Sequence, residues 1–207
     1  MIHPDSSETR HLAARIISDG GLIGFRTDTF YGLGVDPFND SAVLRIKVLK
    51  GREAGKPILL LISDSSVVTR LMSQPPRLFD KVTAELWPGP LTIIVPASDS
   101  LSHDITAGTR TVGLRLPNDE SVRQLVRECG GVLTATSANP ATREPAKSAA
   151  EVIGYFPAGI DLIIDSGAVN VTEPSTVLDI VRTPARLIRE GAVSRAQIEK
   201  VIGGELI

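Results

Sequence analysis

Leu12, Ile16 and Ile17 recur at helical spacing behind Ser6 and Ser7, either of which can cap a helix, and Gly20 with Gly21 closes the segment. The pattern then changes. Residues 22–26 are apolar and bounded by glycine, which predicts a short strand leading into a polar turn, TDTFYGLG, at 27–34. Asp40 is placed to cap a second helix that ends at Lys50 and Gly51. Further strands are expected at 58–62, 91–95, 111–116, 132–134, 162–165, 176–181 and 186–189, and helices at 76–86, 121–129, 149–155 and 194–202. Strands and helices interleave through the first two thirds, whereas the last third carries closely spaced strands that point to antiparallel neighbours. The expectation is an α/β fold with a mixed sheet. No internal repeat, low-complexity tract or interdomain linker interrupts the chain, so residues 1–207 are expected to form a single domain.

With 42% hydrophobic and 22% charged residues over 207 positions, the chain can bury a real core as one unit. A formal net charge of -2 provides no overall attraction for nucleic acid, so a polyanion site has to come from local clustering, as at Lys47, Lys50, Arg52 and Lys56. One cysteine, Cys129, allows neither an internal disulfide nor a cysteine zinc cluster, which fits a reducing compartment, the cytoplasm by default. The first residues are charged and broken by Pro4, unlike a signal peptide, and no stretch approaches the roughly 20 apolar residues of a membrane span. Neither GxxxxGK[ST] nor GxGxxG occurs, so a nucleotide would be held by scattered side chains. His3, His11 and His103 lack metal-like spacing and are expected at the surface.

Several polar groups cluster just past predicted elements. Thr27, Asp28, Thr29 and Tyr31 crowd one turn, which taken locally is an Asx or Ser/Thr turn with a capping aspartate. Lys50 and Arg52 flank Gly51, and cations at a helix C-terminus are favoured by the dipole with no ligand present. Lys56 adds a third cation within seven residues, and such a group repels unless an anion meets it. Ser137 and Asn139 in TSAN follow an apolar strand, where α/β folds commonly bind ligands, although a plain turn into Pro140 also accounts for them. Two fixed cations and two short hydrogen-bonding groups suit a polyanionic, carboxylate-bearing substrate. Pro174-Ser175-Thr176 reads locally as a strand-opening turn, Arg189-Glu190-Gly191 as an exposed strand end, and Trp87-Pro88-Gly89-Pro90 as a rigid turn with an aromatic anchor.

In order along the chain, GGLIGFRTDTFYGLG, LKGREAGKP, WPGPLTIIVP, TVGLRLP, TSAN, PSTVLDI and RLIREG resemble the threonylcarbamoyl-adenylate synthases of the YrdC/TsaC-like family, from about Gly20 to Gly191. The resemblance implies a twisted mixed sheet with flanking helices around an open, electropositive cavity. It also implies an activity joining L-threonine, bicarbonate and ATP into threonylcarbamoyl-AMP and pyrophosphate. That product supplies the threonylcarbamoyl group placed on adenosine next to the anticodon in tRNAs reading ANN codons. On this resemblance the catalytic lysine-x-arginine and serine-x-asparagine signature falls on Lys50, Arg52, Ser137 and Asn139. Threonine falls to Thr29, Arg115 and Ser175, and ATP to Arg52, Lys56, Thr111, Ser137 and Arg189. Magnesium is implied with the triphosphate, without a protein carboxylate cage. The implied partners are the downstream tRNA threonylcarbamoyltransferase machinery and a tRNA or double-stranded RNA contact.

The chain departs from the family pattern in three places. Arg26 stands where proline is usual, Leu61 where many members carry a histidine near threonine, and Pro145 where many carry a serine near ATP. Longer members add a C-terminal domain, and the chain stops soon after Arg189, so the short form is expected. The contrasting possibility is a noncatalytic RNA-binding paralogue of the same fold. A paralogue that has lost the serine-asparagine pair is disfavoured by Asn139, and a hydrogenase-maturation carbamoyltransferase by the single cysteine.

Arg52→Ala removes a planar donor fork and one charge while leaving Gly51 to end the helix. Pyrophosphate release should fall by orders of magnitude, corresponding to about 2–4 kcal/mol in the transition state, with an unchanged melting temperature. Collapse of thermal stability with normal activity per folded molecule would instead identify a helix-terminal role.

Overall fold

A computed structural model describes residues 1–51, 55–141, 143–170 and 173–207. Arg52 lies outside the described residues. The chain opens with β1 (Ile2–Pro4), α1 (Ser7–Ser18), β2 (Ile23–Arg26), β3 (Tyr31–Gly34), α2 (Asp40–Lys50) and β4 (Leu60–Ile62). The middle contains α3 (Val68–Leu71), α4 (Phe79–Leu86), β5 (Leu91–Pro96), α5 (His103–Thr106), β6 (Thr111–Arg115) and α6 (Glu120–Glu128). It closes with β7 (Val132–Thr134), β8 (Thr136–Ser137), α7 (Ala149–Tyr155), β9 (Leu162–Asp165), β10 (Thr176–Asp179), β11 (Arg186–Arg189) and α8 (Arg195–Ile202).

The mixed α/β architecture expected from the sequence is present, with its strands divided between two sheets. One is five-stranded in the order β1-β9-β2-β3-β8, the other six-stranded in the order β11-β10-β5-β6-β4-β7. Both mix directions: β9 runs parallel to β1 and β2 while β2, β3 and β8 alternate, and in the other sheet β10 is parallel to β5 but antiparallel to β11. The antiparallel neighbours expected in the last third are therefore β10 and β11. β9 instead finds parallel partners far away in the chain.

Caps explain most of the helix boundaries. Ser6 accepts from Thr9 N to start α1, as expected, and Ser194 forms a complete capping box with Gln197 at the start of α8. The start of α2 is corrected by one residue: Asn39, not Asp40, accepts from Ala42 N, and Asp40 sits in the first turn beside the positive end of the dipole. The 27–34 segment is a turn only at 27–30. Tyr31–Gly34 pairs with β2 in the register Arg26↔Tyr31 through Ile23↔Gly34, so a tertiary partner makes a strand of glycine-rich chain that local propensity disfavours.

The larger buried cluster includes Tyr31, Ile46, Leu91, Ile93, Val95 and Leu114, and the second contains Ile17, Ile23, Phe25, Leu61, Val122 and Leu133. Trp87 anchors its turn as expected. Its ring meets Phe79 edge-on with centroids 6.0 Å apart, and its indole N–H donates to Leu91 O at 2.8 Å. Among the described residues no helix is long and apolar enough to cross a membrane.

Gly191 is not a plain exposed strand end. Its N–H donates to Thr176 Oγ1 at 2.9 Å, and a Cβ at this position would lie 2.2 Å from Pro174 O. Gly191→Ala must therefore shift the backbone that carries Ser175. We expect a loss of about 1–3 kcal/mol, read as a lowered midpoint of thermal or denaturant unfolding. Wild-type stability would mean that the 174–176 backbone yields freely.

Candidate active site

A cavity of about 440 Å³ is lined from both sheets. β3 and β8 contribute Tyr31, Gly32, Thr136 and Ser137, while β5 and β6 contribute Thr92, Ile94, Thr111, Gly113 and Arg115. The two-residue spacing on β5 and β6 is the pleat at work. Leu91, Ile93, Val95, Val112 and Leu114, the alternate positions of the same strands, belong to the hydrophobic core.

The turn between β2 and β3 is organised by Thr27. Its hydroxyl donates to Phe30 O at 2.7 Å and accepts from Thr29 N at 3.1 Å and Phe30 N at 3.2 Å. This is the Ser/Thr turn anticipated locally, but the aspartate in it does not cap. Asp28 Oδ1 lies 3.1 Å from Arg115 Nη2, with side-chain exposures of 9% and 3% respectively. Arg115 Nη1 also donates to Thr29 Oγ1 at 3.3 Å, and Thr29 Oγ1 is 3.1 Å from Thr27 Oγ1. The ion pair is close but not aligned as a hydrogen bond, since neither Asp28 oxygen nor Arg115 Nε has a hydrogen-bond partner. Burial pushes the Asp28 carboxyl up and the Arg115 guanidinium down, and each is opposed by the charge of the other.

Across the cavity, the Ser175 hydroxyl lies 3.1 Å from Thr92 Oγ1 and accepts from Arg189 Nη2 at 3.3 Å. Arg189 Nε and Nη2 also donate to Ser175 O at 3.1 and 2.8 Å. Its guanidinium is pushed down by burial.

Thr29, Thr111, Arg115, Ser137, Ser175 and Arg189 thus line one cavity. The other expected residues stand differently. Lys50 is 5% exposed, and its ammonium donates to Ser137 O and, at 3.4 Å, to Ser137 Oγ. The helix-terminal account of Lys50 is also partly correct: Gly51 takes a left-handed conformation (φ 58°) and its N–H reaches back to Lys47 O and Val48 O. Lys47 is drawn to Asp104 on α5. Lys56 is exposed, next to Pro57 in the cavity wall. Asn139 is buried behind the wall. Its backbone N–H donates to Ser137 O at 2.9 Å and its side-chain amide to Pro140 O at 3.0 Å and to Arg143 O.

The three departures also resolve geometrically. Arg26 pairs with Asp119 at 3.0 Å and so ties the end of β2 to the N-cap of α6. Leu61 is buried in the second core cluster, whereas Pro145 lines the cavity. Among the described residues no group of three or more His, Cys, Asp or Glu side chains is placed to hold a metal.

The family model described as telomere recombination, Sua5/YciO/YrdC, matches residues 15–191. The chain belongs to the Sua5/YciO/YrdC family. It is 35% identical over 93% of its length to the threonylcarbamoyl-AMP synthase of Pyrococcus abyssi, and spans 56% of that relative. To the enzyme of the same name from Halorhodospira halophila it is 34% identical over 82% of its length, spanning 88% of that relative. The structure of Pyrococcus abyssi Sua5 complexed with L-threonine superposes with a TM-score of 0.93 at 33% identity, over 100% of this chain and 61% of that one. E. coli YciO, at 24% identity and a TM-score of 0.83 over 93% of this chain and 95% of its own, shares the fold. The chain thus spans a little over half the length of the Pyrococcus abyssi relative.

Within this Sua5/YciO/YrdC domain, sequence reasoning passed over Thr92 as the partner of Ser175 and Asp28 as the partner of Arg115. Thr92 carried a usable signal, a lone polar residue at an alternate position of the apolar strand LTIIVP. Asn139→Asp tests the bonds that hold this turn. Aspartate suits such a turn, but it cannot donate to Pro140 O and Arg143 O and would set a charge against both carbonyls. We expect a stability loss of about 1–3 kcal/mol in denaturant unfolding. An unchanged midpoint would show that these two bonds do not hold the turn.

Proposed function

We propose that this chain is an L-threonylcarbamoyladenylate synthase, a nucleotidyltransferase that makes threonylcarbamoyl-AMP and pyrophosphate from L-threonine, bicarbonate and ATP. One observation carries the reading: Thr29, Arg115 and Ser175, the residues matching the family's threonine contacts, meet in one cavity with Thr111, Ser137 and Arg189, which match its nucleotide contacts. Two lining arginines supply the charge that a carboxylate and a phosphate chain require.

The reaction runs in two stages. The threonine amine and bicarbonate lose water to form a carbamate, whose oxygen then attacks the α-phosphorus. A bond forms from that oxygen to phosphorus as the bond to the β-phosphate bridging oxygen breaks and pyrophosphate departs. The carbamate is labile, so the protein's task is to orient it and exclude water, and no covalent enzyme nucleophile is needed. Arg115 receives the threonine carboxylate while Thr29 and Ser175 orient the rest of the amino acid. Thr111, Ser137, Arg189, Arg52 and Lys56 hold the nucleotide, and the cations stabilise charge on the departing pyrophosphate. Lys50 acts through Ser137, which its ammonium touches, and Asn139 through the turn it pins. Magnesium would arrive with the triphosphate. On this reading the protein acts in the cytoplasm as one domain, hands its product to the tRNA threonylcarbamoyltransferase machinery and contacts tRNA or double-stranded RNA.

Pyrophosphate release should require both L-threonine and bicarbonate. Serine, lacking one methyl, should be poorer by about 1–3 kcal/mol in kcat/KM. Release equally fast without threonine would sink the proposal. Salt-sensitive RNA binding without substrate-dependent release would point to the noncatalytic paralogue instead.

A further inference from the structure

Asp28 is the buried carboxylate that the proposed chemistry leaves unused. It is absent from the cavity wall, although its neighbours Thr27, Thr29 and Phe30 all line it. Its carboxylate lies 3.1 Å from Arg115 Nη2, while Arg115 Nη1 reaches Thr29 Oγ1 at 3.3 Å. The two contacts grip the guanidinium at both terminal nitrogens, and both come from a single turn whose shape is fixed by the Thr27 hydroxyl. A guanidinium has a planar fork of donors, so holding its two ends fixes the plane in which a substrate carboxylate can meet it. The other carboxylate near this turn, Asp119, is taken by Arg26 at 3.0 Å and by Ser121 N and Val122 N of α6 at 3.0 and 3.3 Å. Arg189 is the other cation whose charge reaches Arg115, and it has the same sign. Asp28 is therefore the counter-ion that balances the charge of Arg115 and holds it in place.

We propose that Asp28 is a positioning residue for substrate recognition: through its ion pair it holds the Arg115 guanidinium in the orientation that receives the carboxylate of the amino-acid substrate. This inference rests on Arg115 being the carboxylate receptor. Asp28 itself touches no substrate atom. Its loss should therefore be felt only by ligands that bear the carboxylate, which a general structural role would not produce.

The test is a substrate-and-variant cycle on the full chain. Dissociation constants for L-threonine and for L-threoninamide, which lacks the carboxylate charge, would be measured by calorimetry for the wild type, Asp28→Asn and Asp28→Glu. The wild type should prefer threonine. In Asp28→Asn, which keeps the shape and removes the charge, threonine should weaken by about tenfold or more, because the guanidinium loses the buried charge that orients it, while threoninamide is unchanged. Asp28→Glu retains the charge, and so protects folding, but displaces it by one methylene. It should show the same selective loss, and in steady-state assays KM for threonine should rise while KM for ATP does not. Equal weakening of both ligands, or no change in either, overturns the positioning role. A wild type that does not distinguish the two ligands overturns Arg115 as the receptor and the present inference with it. Failure of both variants to fold would make Asp28 a structural counter-ion only and would also overturn the proposal.

Discussion

Because successive side chains of a strand point to opposite faces, β5 and β6 serve two environments at once. Leu91, Ile93, Val95, Val112 and Leu114 enter the core on one face, while Thr92, Ile94, Thr111, Gly113 and Arg115 line the cavity on the other. A slip of one residue in either strand would exchange the two sets, placing a guanidinium in hydrocarbon and leucine in the site. Register is therefore held by burial on one side, and the geometry of the site follows from it. β10 continues the arrangement with Val177 set opposite Thr92, and β3 with β8 close the cavity from the other sheet.

The polar residues divide into those that meet the cavity and those that hold the wall. Ser137 lines the cavity, yet its carbonyl receives the Lys50 ammonium from α2 and the backbone N–H of Asn139. Asn139 then fastens the chain at Pro140 and Arg143 with its side-chain amide. A helix C-terminus, a short strand and a loop are thereby joined at one carbonyl. Such joints are costly to break, because a buried donor or acceptor left without its partner keeps the full penalty of lost hydration.

Much of this was legible in the chain. Ala149–Tyr155, Val132–Thr134, Leu162–Asp165 and Arg186–Arg189 fall at the boundaries that pattern alone predicts, each with glycine or proline within two residues of an end. β1, β3 and β8 were missed. They have three, four and two residues; the partners of β1 and β8 lie outside any local window, and β3, two of whose four residues are glycine, is held as a strand by β2 across a tight turn. The site shows the same division. Motif resemblance named Thr29, Arg115, Ser175 and Arg189, but the contacts of Asp28 with Arg115 and of Thr92 with Ser175 cross 87 and 83 positions of sequence and carry no local sign.

The two arginines of the cavity are not equivalent, and the difference gives the site a direction. Arg115 lies beside a buried carboxylate, so its charge is largely balanced before any ligand enters. Arg189 donates only to neutral oxygens of Ser175 in the contacts it makes, and no carboxylate among the described residues pairs with it. A partly buried cation without a counter-ion is favoured most by a ligand that brings excess negative charge. A singly charged carboxylate suits the balanced arginine, held for orientation, whereas a phosphate chain suits the unbalanced one, where charge is the larger part of the attraction. Ser175 belongs to the Arg189 end, with its hydroxyl lying between Thr92 and Arg189. Excess negative charge at the Arg115 end would meet the field of Asp28 behind it, where like charge opposes it.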